Sequence, residues 1–233
     1  MARLSRLSIA NQLHLLVQKT SGAQPVLVEA FDCQAYLECL WDAAASQGVA
    51  VHAYSLMPAE VRVLATPSTE PALGLMLQAL GRRFVVAYNR RHHRSGALWA
   101  GRFRSTVVEA EAHFVECLRY VEMAPVQAAC VERAEDWAWS SAGHHVGKRR
   151  QNGLTEHPLY WQIGNTPFER EATHRQLLQR PLDASHLGKF DHAAERGWAL
   201  GSAEFIKALG SLANRRLLPL PRGRRSTSGR AGK

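Results

Sequence analysis

Two kinds of hydrophobic spacing alternate along the chain up to Pro125, and their order restricts it to few topologies. Leu13–Gln18 is a short apolar run between polar residues and reads as a strand, with Ser21, Gly22 and Pro25 marking the turn after it. Phe31, Tyr36, Leu37, Leu40, Trp41 and Ala44 recur at helical spacing, with Asp32 as candidate N-cap and Gly48 as the stop. Val49–Ser55 and Val61–Thr66 predict two strands joined around Leu56-Met57-Pro58. A second helix follows Ser68 and Thr69, with Leu73, Met76, Leu77, Leu80, Phe84 and Tyr88 on one face. Phe103–Val108 predicts a fourth strand. A third helix then runs from Ala110 to Met123, burying Phe114, Cys117, Leu118 and Val121, until Pro125 ends it. The order β-α-β-β-α-β predicts an α+β, ferredoxin-like antiparallel sheet with helices on one face.

Residues 1–147 hold this pattern. Lys148-Arg149-Arg150 and Gln151-Asn152-Gly153 read as an exposed link to a small helical C-terminal extension over 148–214. Weaker helical spacing lies near Pro167–Gln179 and Ser202–Arg215, the latter with Phe205, Ile206, Leu209 and Leu212. Residues 215–233 carry Arg215, Arg216, Arg222, Arg224, Arg225, Arg230 and Lys233 with no acid, and are expected to stay disordered until they meet a polyanion.

Charge narrows the function. Lys and Arg number 29 against 20 Asp and Glu, a formal +9, which favours nucleic acid as a partner. Cys33, Cys39, Cys117 and Cys130 form no CxxC pair and read as reduced thiols of a cytoplasmic protein. Arg3 and Arg6 precede Asn11, Gln12 and His14 rather than an apolar core, so no signal peptide is expected. No apolar run reaches the roughly 18 residues of a membrane helix, so no membrane partner is expected.

The densest basic stretch is Gly81–Arg104, where no acid occurs. Arg82, Arg83, Arg90, Arg91, Arg102 and Arg104 are the candidates for phosphate contacts. Tyr88, Trp99 and Phe103 are interleaved with them, either as core residues or as platforms for bases of single-stranded or hairpin DNA. His92-His93 and His144-His145 have no third ligand at a useful spacing and read as surface basic turns. Trp137 and Trp139 read as packing residues.

An ordered set of segments carries a resemblance. It begins with His52-Ala53-Tyr54-Ser55-Leu56-Met57-Pro58, Leu80-Gly81-Arg82-Arg83, Tyr88-Asn89-Arg90-Arg91, Ser95-Gly96-Ala97-Leu98-Trp99 and Gly101-Arg102-Phe103-Arg104. It continues with Arg119-Tyr120-Val121-Glu122, Pro125-Val126, Asp136-Trp137, Trp139-Ser140-Ser141, Gly197-Trp198-Ala199-Leu200-Gly201-Ser202 and Pro221-Arg222-Gly223-Arg224. In this order the chain resembles the REP-associated tyrosine transposases, single-tyrosine relatives of the HUH class, from about Arg3 to Arg224. The resemblance implies DNA transposition by single-strand cleavage and rejoining. A helix tyrosine attacks a phosphodiester, leaving a 5′-phosphotyrosine and a free 3′-hydroxyl. Two strand histidines hold Mg2+ or Mn2+, and a polar residue four positions after the tyrosine completes the site. Residues at i and i+2 of a strand face the same way and can share one ion.

Tyr120 matches the nucleophile position. The ligand positions do not match. Where the family has Asn and two histidines after Met57-Pro58, this chain has Ala59, Glu60, Val61 and Arg62; Ala124 replaces the later polar residue, and Ala100 stands where Glu usually follows Leu-Trp. Glu60 could hold a hard cation through oxygen, whereas Arg62 has no lone pair and repels one. One possible ligand of three remains, so no intact metal site and no cofactor is expected. The expectation is a transposase-family DNA-binding protein, monomer or homodimer, with metal-dependent cleavage lost or weakened. One alternative is metal-independent cleavage in which Arg62 donates to the phosphate. Another is a non-catalytic nucleic-acid-binding regulator.

Overall fold

The computed structural model describes residues 6–22, 25–213 and 215–219. In chain order the elements are β1 (Leu13–Lys19), α1 (Ala30–Gln47), β2 (Val49–Met57), β3 (Glu60–Pro67), α2 (Ala72–Arg91), β4 (Arg104–Val108) and α3 (Ala110–Glu122). Then follow α4 (Ala124–Gln127), a 3-10 turn at Ala134–Asp136, α5 (Ala142–His145), α6 (Pro158–Trp161), α7 (Pro167–Gln179), α8 (Ala184–Arg196) and α9 (Ala203–Leu209). No described helix is long and apolar enough to cross a membrane.

The strands form one antiparallel sheet of order β2-β3-β1-β4, the split pattern expected from the sequence. α1 and α2 lie together on one face, packed on Leu16, Tyr54, Leu56, Val61 and Val63. Their seam is aromatic: Tyr36 meets Phe84 edge-on at 5.1 Å and Trp99 at 5.9 Å. The opposite face is also covered. Leu13, Leu15, Val17, Ala53, Leu64 and Val108 pack there against Phe114, Cys117, Tyr120 and Val121 of α3 and Phe190 and Ala194 of α8. The split unit therefore keeps its two helices on one face, and α3 with α8 adds a third layer. The strands are apolar on both faces because both are buried.

Both sheet edges are covered by returning segments. Beside β2, Leu56 N donates to Trp139 O and Ser141 N to Tyr54 O, while Trp137 Nε1 donates to Leu56 O. Trp137 and Trp139 thus act as packing residues. Beside β4, Leu200 bridges Val108 in parallel. The chain reaches that edge through Gly197, which is left-handed at φ 66°, and a Cβ there would stand 3.2 Å from Ser105 O. Of the basic segment after Asn214, residues 215–219 are described: Leu217 is buried with Leu7, Ile9 and Ala199, and Ala199 N donates to Leu217 O. Arg222, Arg224, Arg225, Arg230 and Lys233 lie outside the described residues.

Local expectations failed at the start of α1. Asp32 is not the N-cap; Glu29 occupies that position, and Asp32 is buried in the first turn, accepting from His92 Nε2 at 2.8 Å. Phe31 is 61% exposed rather than core, with the Arg91 guanidinium over its ring.

Two histidines are locked neutral inside the fold. His14 Nδ1 donates to Gln12 O, and its Nε2 accepts from Ile9 N–H. His52 Nδ1 lies 2.8 Å from Thr155 O and Nε2 2.9 Å from Thr66 Oγ1. Burial lowers both pKa values to about 4. The unfolded chain takes up these protons below about 6.5 and the folded chain only near 4, so stability is lost as pH falls across that window. Denaturant unfolding at pH 5 should give a free energy lower than at pH 7.5 by roughly 2 kcal/mol per histidine. Equal values at both pH settings would contradict the neutral assignment.

Candidate active site and nucleic-acid interface

The register of three strands builds the floor of the candidate site. Arg62 of β3, Val17 of β1 and Arg104 of β4 are paired neighbours in one row, and Glu60 pairs with Lys19 one step along the same face. α3 lays Tyr120 over this floor, and α8 closes the side with Phe190, Asp191, Ala194 and Glu195. A cavity of about 260 Å³ remains, lined by Lys19, Glu60, Arg62, Arg104, Tyr120 and Asp191 among others.

Tyr120 is held on every side. Its hydroxyl donates to Asp191 Oδ1 at 2.6 Å, its ring lies 5.1 Å from that of Phe190, and the Arg62 guanidinium carbon sits 4.1 Å above the ring. Arg62 Nη1 also donates to the Tyr120 carbonyl at 3.1 Å. Burial pushes the phenol pKa up strongly; Arg62 opposes the shift, while Asp191 and Glu60 add to it. The phenolate form of Tyr120 is therefore scarce at neutral pH.

The ligand positions do not suit a divalent ion. Glu60 Oε1 accepts from Arg62 Nε at 2.5 Å, and Oε2 lies 3.3 Å from Lys19 Nζ, so both oxygens already face cations. Arg62 contributes positive charge and no lone pair. Ala124 is buried at the α3–α4 junction and does not line the cavity. At positions 60, 62 and 124 a divalent ion would find one carboxylate, already paired with two cations, and a guanidinium to repel it.

The six arginines singled out in the sequence are divided between two surfaces. Arg104 lines the Tyr120 cavity. Arg102 joins it in an adjoining groove of about 430 Å³, where Arg6, Arg102, Arg104, Arg196, Arg215 and Arg216 meet one acid, Glu195. This groove shares Arg104 and Glu195 with the Tyr120 cavity, so the two adjoin. Arg82, Arg83, Arg90 and Arg91 instead border a shallow depression on the outer side of α2, across the sheet from Tyr120. There Arg83 pairs with Asp42 and Arg91 with Glu29. The interleaved aromatics are core: Tyr88, Trp99 and Phe103 are all buried. The half-buried ring beside the groove is Trp198, with the guanidiniums of Arg215 and Arg216 at 5.6 and 5.5 Å.

Sequence reasoning missed four groups. Asp191 had a findable signal: Asp183 caps α8, Gly197 ends it, and Leu187, Phe190 and Ala194 recur at helical spacing. Lys19 is the last residue of an apolar strand, and only register reveals its place. His145 is no surface turn but buried against Glu122 and His174, because α7 folds back over α5. His92 ties α2 to Asp32 of α1.

No family model matches the chain, and no curated protein sequence matches it. Among solved structures, it is similar to a REP-associated tyrosine transposase bound to a REP hairpin, with TM-score 0.56 and 15% identity over 66% of this chain and 88% of that one. A putative transposase from Deinococcus radiodurans R1 gives 23% identity and TM-score 0.36 over 49% of this chain and 93% of that one. The first likeness shows a shared fold.

Proposed function

We propose, taking the shared fold of a REP-associated tyrosine transposase as premise, that this chain is a transposase-family protein that binds DNA and does not cut it in a metal-dependent way. The observation that carries this reading is the groove of six arginines adjoining the Tyr120 cavity. Guanidiniums there neutralise and orient backbone phosphates, and Trp198 offers a ring to an unstacked base. The similar protein's structure contains a hairpin, and we carry a hairpin or single-stranded DNA partner to this chain on that ground.

In this reading Arg104, Lys19 and the open N–H groups of Arg62 hold a phosphate beside Tyr120. The tyrosine stays a neutral phenol donating to Asp191, and the Glu60–Arg62 pair occupies the place where the family's ion would polarise the phosphate. Arg82 and Arg90, across the sheet, contact a more distant stretch of backbone. One observation favours a second reading. Asp191 lies 2.6 Å from the phenol oxygen, as a proton acceptor would, with Arg62 above the ring. Slow cleavage by that route, with the phenol oxygen bonding to phosphorus and the departing 3′-oxygen gaining a proton, would be insensitive to EDTA.

Fluorescence anisotropy with a labelled hairpin across several salt concentrations tests the binding surface. Arg104→Ala and Arg196→Ala should each weaken binding about tenfold and lower the salt slope by roughly 0.7–0.9. Affinity should be higher for hairpin DNA than for RNA of the same sequence. Binding that is independent of salt, or untouched by both substitutions, would reject this surface.

A further inference from the structure

Glu122 is a carboxylate with no exposed surface at the C-terminal end of α3. Among the described residues its only ion partners are imidazoles: His145 of α5, through Nδ1, and His174 of α7, through Nε2, each at 2.6 Å and each on a different carboxylate oxygen. Ser141 Oγ donates to Glu122 Oε1 at 2.5 Å. The ligand-type atoms of Glu122, His145 and His174 all lie within 4.8 Å of one another. A buried carboxylate needs compensating partners close by, and among the described residues Glu122 has two imidazoles and one hydroxyl. No Lys or Arg forms an ion pair with it among the described residues.

We propose that Glu122, His145 and His174 form a structural site for a first-row divalent cation, Zn2+ foremost, that joins α3, α5 and α7. Two imidazole nitrogens and one carboxylate oxygen are a borderline donor set of the kind zinc takes, and an all-oxygen ion such as Mg2+ is poorly matched to them. Ser141 Oγ stands beside the set as a candidate fourth ligand. Two ligands of one tetrahedral ion at about 2.0–2.2 Å stand roughly 3.3 Å apart. The 2.6 Å contacts therefore open by a side-chain rotation as the ion enters. The ring proton facing Glu122 moves to the far nitrogen of the same ring. For His174 that nitrogen, Nδ1, is buried with no partner among the described residues, so none of these outside the cluster fixes which nitrogen carries the proton. The site is separate from the Tyr120 cavity and does not depend on the DNA-binding reading.

Metal analysis of the full-length, tag-free chain after desalting should give about one equivalent of zinc per chain. Added Zn2+ should raise the thermal midpoint of chelator-treated protein, by more at higher concentration. Co2+ in place of Zn2+ should give visible absorption bands of a low-symmetry, four-coordinate ion. His174→Gln, which keeps a polar group of similar reach, should lose the zinc equivalent, the midpoint shift and the bands, whereas His92→Ala keeps all three. Absence of metal together with a midpoint unmoved by Zn2+ and by chelator would overturn the proposal. Full zinc retention in His174→Gln would overturn it too, by placing the ion elsewhere. If His174→Gln fails to fold, the Co2+ bands of the unaltered chain decide: their absence overturns the proposal.

Discussion

Glu122→Ala should lower the unfolding free energy by about 3–5 kcal/mol, among the largest losses of any single substitution in this chain. The change strands two imidazoles in a dry interior and opens a cavity where α3, α5 and α7 meet. Burial by itself would raise the Glu122 pKa, but the two histidines reverse this and hold the carboxyl well below its usual range. A depressed carboxylate pKa stabilises the fold above the unfolded value of about 4.3, and that contribution is lost as pH falls below it. Denaturant titration and a melting curve read the loss, which corresponds to roughly 6–20 °C for a chain of this size. A change within about 1 kcal/mol would mean that the cluster is not the clamp its burial implies.

The second large effect is a gain. In the variant with Glu60→His and Arg62→His, two imidazoles project from positions i and i+2 of β3 toward Tyr120, and the central positive charge is gone. Mn2+ should then bind at least roughly tenfold more tightly than to the unaltered chain, a difference of about 1.4 kcal/mol. Asp191, already in the cavity, is placed to add an oxygen ligand. Electron paramagnetic resonance titration counts the bound ion. If both proteins bind Mn2+ equally, Arg62 is not what keeps the ion out.

The fold was legible because period and order are local properties. Short apolar runs and 3.6-residue spacing located β1 to β4, α1, α2 and α3, and the β-α-β-β-α-β order then left few arrangements. The third layer was readable in principle, since strands such as Leu13–Lys19 are apolar on both faces and so need two covers. Chemistry that depends on distant segments was not readable. Glu122, His145 and His174 meet only because α7 returns over α5, and no spacing along the chain signals that return. Arg91 and Arg104 are close in sequence, yet the chain crosses from the outer side of α2 to the site face of β4 between them. Clustering along the chain therefore overstated clustering in space. At the Tyr120 site, identity at single positions spoke plainly: Glu60 and Arg62 stand at i and i+2 on one strand face, and they pair at 2.5 Å.

The central claim is that this site binds DNA without metal-dependent cutting. Labelled single-stranded hairpin DNA, the full-length chain and Mn2+, resolved on a denaturing gel, test it most directly. The account predicts salt-sensitive binding in solution and no covalent protein–DNA adduct. An adduct that forms with Mn2+, disappears with EDTA and is absent in Tyr120→Phe would contradict it.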